Sequence, residues 1–130
     1  MSGAGCRTEF HRLLRFSVVG TGGFLVDVAV LQLCLSLGLD PYSGRAVSFL
    51  AAVTFTWALN RAYTFDPSGR PIAVEWVSFV AACSAGGAVN YAVYAVLVAS
   101  LAAPPGLAVA AGSLAGLAVN FLAARRIVFR

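Results

Sequence analysis

The sequence predicts an all-α integral membrane protein, with four transmembrane helices arranged as two parallel two-helix repeats and both termini in the cytoplasm. Composition is the first observation behind this. Of 130 residues, 60% are hydrophobic and 11% charged, against roughly 25% charged in a soluble domain. Mean hydropathy is +0.86. The second is the spacing of apolar runs, each close to the length that crosses a bilayer. The third is the basic residues: all nine are arginine, and most stand at the ends of apolar runs. The net charge of +4 is therefore explained by membrane orientation, and no nucleic-acid partner is expected.

The length fits one domain, 1–130. A helix needs about 20 apolar residues to cross the hydrocarbon core. Residues 1–12 read as an N-terminal tail carrying Arg7, His11 and Arg12. The first span covers about 16–39, beginning after Arg15 and stopping at Asp40-Pro41. The second covers about 42–63 and the third about 76–101. Pro104-Pro105-Gly106 then forces a tight connection. The fourth covers about 107–124 and ends at Arg125-Arg126. Arg7, Arg12, Arg15, Arg61, Arg70, Arg125, Arg126 and Arg130 fall on one side of this arrangement, and Arg45 alone on the other. That bias places both termini and the middle loop in the cytoplasm. The first apolar run is too long for a signal peptide and lacks a cleavage-like end.

Cys6, Cys34 and Cys83 form no CxxC and read as free thiols. With His11 the only histidine, no metal site and no cofactor are expected.

The two halves resemble each other. Trp57–Phe65 aligns with Phe121–Phe129, and Phe16–Asp27 with Phe79–Asn90, so Gly23 falls on Gly86 and Asp27 on Asn90. Two spans per half return the chain to the same side, so the repeat is parallel. The second span carries Gly44, Ser48, Ala52, Thr56 and Asn60 at spacing four; the fourth carries Ala108, Gly112, Gly116, Asn120 and Ala124. Spacing four keeps residues on one helix face, and small faces let helices approach closely in lipid. Packing alone accounts for the small residues, and the sequence leaves open whether these faces meet within the chain or between chains. Asn60 and Asn120 lie near the cytoplasmic end, where a headgroup would sit.

Asp27 stands twelve residues beyond Arg15, roughly 18 Å into the span. A carboxylate there costs about 2.5–3.5 kcal/mol on insertion scales, so it must face inward and find a partner. Arg45 is the best candidate, and Ser48 and Asn90 lie at similar depth. Two readings stay open: a pair that only fixes helix register, or part of a polar path through the membrane. Gly20, Gly22 and Gly23 thin the first span and suit either.

Several motifs together resemble the GtrA-like family of small four-span bacterial proteins. They are an R-F-x-x-V-G opening (Arg15, Phe16, Val19, Gly20), the intramembrane Asp27, an N-R-x-Y-T-F exit (Asn60, Arg61, Tyr63, Thr64, Phe65), and a closing N-F…R-x-x-F (Asn120, Phe121, Arg126, Phe129). The resemblance runs from about Leu13 to Arg130. It departs at Ala124, where the second half lacks an asparagine directly before its arginine; Asn120 lies one turn earlier. The resemblance implies a role in cell-surface polysaccharide synthesis at the bacterial cytoplasmic membrane, moving a polyprenyl-phosphate-linked sugar between leaflets. Similar modules joined to polyprenyl-phosphate glycosyltransferases imply an alternative, a non-transporting adaptor or anchor.

On the transport reading, Arg15, Arg61, Arg125 and Arg126, with Asn60 and Asn120, dock the phosphate headgroup, because arginine binds phosphate bidentately. Asp27, Arg45, Ser48 and Asn90 line a mid-membrane polar path. Orientation in the membrane explains the same inner arginines equally well. A small-molecule exporter would also use an intramembrane acid, but the arginine bias and the N-R-x-Y-T-F motif argue against it. No pair of Asp40, Asp66 and Glu75 is placed as an acid–base couple, so no enzyme is expected. Four short helices enclose little space, so the expected state is a parallel homodimer or higher oligomer, with a membrane glycosyltransferase as a further possible partner.

Overall fold

The computed structural model describes the backbone of residues 2–130, and their side chains apart from those of 2–4 and 105–106. Met1 of the expected tail lies outside the described residues. Four helices follow one another: α1 (Ser2–Ser36), α2 (Pro41–Tyr63), α3 (Ile72–Leu101) and α4 (Pro105–Ala123), the last running into a five-residue π turn over Ala124–Val128. No strand occurs among the described residues. Segments of α1, of α3, and of α4 with its π turn are long and apolar enough to cross a membrane. At 23 residues, or about 34 Å, α2 also has the length. Arg45, Arg61 and its run of serine, threonine and asparagine keep it less apolar than the other three.

The residues expected as a tail form the first turns of α1. That helix has 35 residues, about 52 Å at 1.5 Å per residue, against a hydrocarbon core of about 30 Å. Its charged residues apart from Asp27 are Arg7, Glu9, Arg12 and Arg15, all in the first half. The physical solution is therefore a helix that projects beyond the core at its N-terminal end rather than one that only tilts.

The chain forms two compact units, residues 1–70 and 71–130. Each is a helical hairpin. In the first, α1 ends at Gly38, whose φ of +92° suits a residue without Cβ. Gly38 N–H donates to the Leu35 carbonyl at 3.1 Å and Leu39 N–H to that of Cys34 at 3.0 Å, a Schellman closure. Asp40 then caps α2: its Oδ2 accepts from the N–H of Tyr42 at 3.0 Å and of Ser43 at 2.9 Å, with Pro41 at the first helical position. Hydrogen bonds from Ser43, then Tyr42, hold the Asp40 carboxyl below the usual carboxylate range. The second hairpin turns without such a cap. Ala102 takes a left-handed conformation at φ 47°, and Pro104 and Pro105 lead into α4.

Both small-residue stripes are spent inside the hairpins. Gly44 and Ser48 of α2, and Ala108, Gly112, Gly116 and Ala124 of the α4 segment, are buried. A Cβ at Gly23 would lie 2.3 Å from Thr56 Cγ2, and one at Gly86 would lie 1.8 Å from Asn120 Oδ1. One at Gly112 would lie 2.6 Å from the Asn90 carbonyl oxygen, and one at Gly116 2.8 Å from that of Gly86. Helix backbones meet this closely only where side chains are absent, the usual means of association in lipid. At the arginine-rich end each hairpin holds an edge-to-face aromatic pair with centroids 6.1 Å apart, Phe16–Phe65 in one and Phe79–Phe129 in the other.

The outward faces stay apolar. Val18, Phe24, Leu25 and Leu33 on α1 are exposed, as are Val77, Val96, Leu107 and Leu114 on α3 and α4. A soluble monomer rarely exposes so many large apolar side chains; lipid accepts them.

Candidate functional site

The polar residues of the first hairpin gather at two levels. The inner level is built by α1 and α2 around the acid in the first span. Arg45 Nη1 donates to both carboxylate oxygens of Asp27, forming the ion pair expected from the sequence. The same nitrogen lies 3.3 Å from Ser48 Oγ, and Ser48 in turn donates to the Arg45 carbonyl at 3.1 Å. Ser48 is fully buried, the Asp27 side chain is 18% exposed, and that of Arg45 is 56% exposed. The arginine thus reaches inward from the first turns of α2, and all these contacts fall on Nη1. The arrangement neutralises an acid that lipid would penalise and leaves the rest of the guanidinium toward the outside of the hairpin.

The outer level lies at the arginine-rich end, where α1 extends alongside the end of α2. Arg15 Nη1 donates to the Tyr63 carbonyl at 2.9 Å, satisfying a last-turn acceptor of α2. Arg12 stands between Glu9 at 3.3 Å and Asp66 at 3.7 Å. His11 shares a hydrogen bond between Nδ1 and the Arg7 carbonyl at 2.7 Å. Apart from Glu9 these residues, with Thr8, Thr64 and Phe65, line a cleft of about 790 Å³, within the range of small-molecule sites. Of the docking residues expected here, Arg15 lines the cleft, Arg61 is half-buried in the last turn of α2, and Asn60 is 1% exposed with Oδ1 lacking a hydrogen-bond partner.

Sequence reasoning passes over Arg7, His11 and Arg12 as site residues because it treats residues 1–12 as a tail, and over Thr64 and Asp66 because the cleft they line is formed with that segment. A signal was available: Arg7, His11 and Arg15 recur every four residues, one face of a helix.

In the second hairpin the expected site residues pack against backbone. Asn90 lies against Gly112 and Gly116, and Asn120 against Gly86. The Asn120 Oδ1 atom is buried without a hydrogen-bond partner. Arg125 is half-buried and Arg126 exposed, both in the π turn. That turn is closed by Phe129 N–H donating to the Ala124 carbonyl at 2.9 Å, which buries Val128 and Phe129. Single π turns often mark functional positions. No group of three or more His, Cys, Asp or Glu residues that could hold a metal ion forms among the described residues.

Apolar outer faces, membrane-length helices and an acid–arginine pair within a span define a multi-pass membrane protein. The family model for the GtrA/DPMS transmembrane domain matches residues 15–129, and the chain belongs to that family. No curated protein sequence matches the chain. The family membership carries involvement in a polyprenyl-phosphate sugar function at the membrane.

Proposed function

We propose that the protein moves a polyprenyl-phosphate-linked sugar from the cytoplasmic to the outer leaflet of the bacterial cytoplasmic membrane, for cell-surface polysaccharide synthesis, without catalysing a reaction. The observation that carries this reading is the Asp27–Arg45–Ser48 cluster. A four-helix protein that served only as an anchor has no need of a charged pair inside its first hairpin, where an acid is expensive. On this reading four spans place both termini in the cytoplasm, and the hairpins act as parallel repeats. The half-exposed Arg45 then offers a phosphate its remaining N–H groups near the outer leaflet. Arg15, Arg61, Arg125 and Arg126 collect the anionic headgroup on the inner side. A parallel homodimer or higher oligomer would supply the lateral wall that a single chain of this size lacks.

The second reading is a non-transporting adaptor for a polyprenyl-phosphate glycosyltransferase. The cleft beside the projecting part of α1 favours it, because a partner enzyme could meet a headgroup there without any translocation.

Asp27→Asn separates the two. In liposomes carrying an enzyme-accessible lipid-linked sugar, transport requires the variant to lose outer-leaflet delivery, with thermal stability reported alongside. Because the amide leaves Arg45 without its counter-ion, stability is expected to fall, by about 2 kcal/mol. Asp27→Asn with Arg45→Gln should regain that stability and remain inactive. Normal delivery by a stable variant would show transport that does not need the carboxylate, and no delivery by the unaltered protein would leave the adaptor as the better reading.

A further inference from the structure

We infer that the cleft between the N-terminal part of α1 and the end of α2 binds a phosphorylated sugar headgroup. Arg7 and Arg15 supply the phosphate contacts, and Thr64 lies at the cleft's wall. The identity of the ligand rests on the lipid-linked sugar reading above; the position and chemistry of the site rest on the cleft itself.

The charges in the cleft have separate duties. Arg12 is held between Glu9 of α1 and Asp66 in the loop after α2, so it ties α1 to that loop rather than offering a free cation. Arg15 uses Nη1 on the Tyr63 carbonyl, and its other N–H groups make no hydrogen bond or ion pair among the described residues. Arg7 has no side-chain partner among the described residues, and it lies one turn from His11 and two from Arg15 on the same helix face. Two guanidinium groups with unspent donors suit a phosphate.

The second, independent observation is Thr64. It lines the cleft and is 6% exposed, and its Oγ1 is buried with no hydrogen-bond partner. A buried hydroxyl left unpaired is costly, and a ligand oxygen brought to the cleft wall would complete it. Asp66 points to the sugar part. Its side chain is 94% exposed, and a carboxylate that repels phosphate accepts hydrogen bonds from sugar hydroxyls. Tyr63 and His11 also line the cleft. Cations beside an exposed carboxylate fit a phosphosugar better than bare phosphate.

The test is equilibrium binding to the detergent-solubilised full chain, with three probes: inorganic phosphate, hexose 1-phosphate and farnesyl phosphate. Hexose 1-phosphate should bind more tightly than inorganic phosphate. Arg7→Gln and Thr64→Val should each weaken it by about tenfold, the scale of a lost hydrogen bond to a charged group. Thr64→Ser, which keeps the hydroxyl, should bind normally, as should Arg130→Gln, which is not among the residues lining the cleft. Displacement of hexose 1-phosphate by farnesyl phosphate assigns the site to a lipid headgroup. No displacement, with the same variant pattern, assigns it to a soluble phosphosugar. Binding that is equal across all variants, or no binding by either organic probe, would overturn the site. Because no translocation is measured, a protein that binds here yet fails to flip lipid would refute transport and leave the cleft standing.

Discussion

In the first hairpin, Gly23 lies under Thr56 and the aromatic pair is Phe16–Phe65; in the second, Gly86 lies under Asn120 and the pair is Phe79–Phe129. These are the positions that the internal alignment matches. One helical turn deeper the likeness ends. Asp27 takes an arginine and a serine as partners, while Asn90, at the matching position, is pressed against Gly112. Ser48 matches Gly112, and Arg45 matches Val109. At this depth the second hairpin has exchanged side-chain chemistry for close backbone approach. The first keeps a polar interior and accepts its cost. The difference teaches where to look for function: the hairpin that departs from tight packing holds both the ion pair and the cleft.

Adding a methyl group to the close contacts tests this most severely. Gly112→Ala meets the Asn90 carbonyl, a backbone atom that cannot turn aside. A loss of about 2–3 kcal/mol is expected in denaturant unfolding in detergent, with only partial recovery in Gly112→Ala with Asn90→Ala, which removes the equally close Asn90 Oδ1 but leaves the carbonyl. At Gly86 the nearest obstacles all belong to the Asn120 side chain. Gly86→Ala should cost about 1–2 kcal/mol and be largely rescued by Asn120→Ala. Equal costs at 112 and 86, with rescue of both or of neither, would break the distinction between backbone and side-chain contact. The tips of the hairpins differ more gently. Ala102 holds a left-handed conformation without being glycine, so Ala102→Gly should stabilise the second hairpin by about 0.5–1 kcal/mol. No change in the unfolding midpoint would show that the tip conformation is not strained.

The smallest effect expected is the pH response of the first tip. The Asp40 carboxyl titrates below its unfolded value because Ser43 and Tyr42 hydrogen-bond its charged form. Its contribution to α2 is therefore present above the ordinary carboxylate range, near pH 4. It is lost as pH falls through the lowered folded value. Asp40→Asn should remove that acid-side slope while keeping a cap. An unaltered slope in the variant would assign the response to another carboxyl.

The helices and the Asp27–Arg45 pair were legible because each has one physical solution. An apolar run of membrane length becomes a helix, and an acid within it seeks the nearest cation one turn away in depth. The stripes were legible as contact faces, though not as faces used within the hairpins. Spacing fixes which residues share a face, but not which helix meets them. The polarity of Asn90 and Asn120 pointed to a groove, whereas the contacts show them seated on glycines. The cleft was hidden for a different reason. Residues 2–12 have no apolar periodicity, and the four-residue recurrence of Arg7, His11 and Arg15 is a polar pattern that gains its meaning only once α1 is seen to run unbroken from Ser2. The π turn depends on hydrogen-bond register alone, which no residue pattern announces.

The pairing of Asp27 with Arg45 also bears on how such a chain is made. The two residues are 18 apart in sequence and joined through one tight tip, so little loop entropy opposes their meeting. During synthesis the acid leaves the ribosome first and is an expensive passenger in lipid until the arginine follows. Inserting the two helices together lets the charges neutralise each other before either meets hydrocarbon alone. Biogenesis of the first hairpin is then concerted, and a longer tip would delay the moment at which the acid stops being a burden on the translocation machinery.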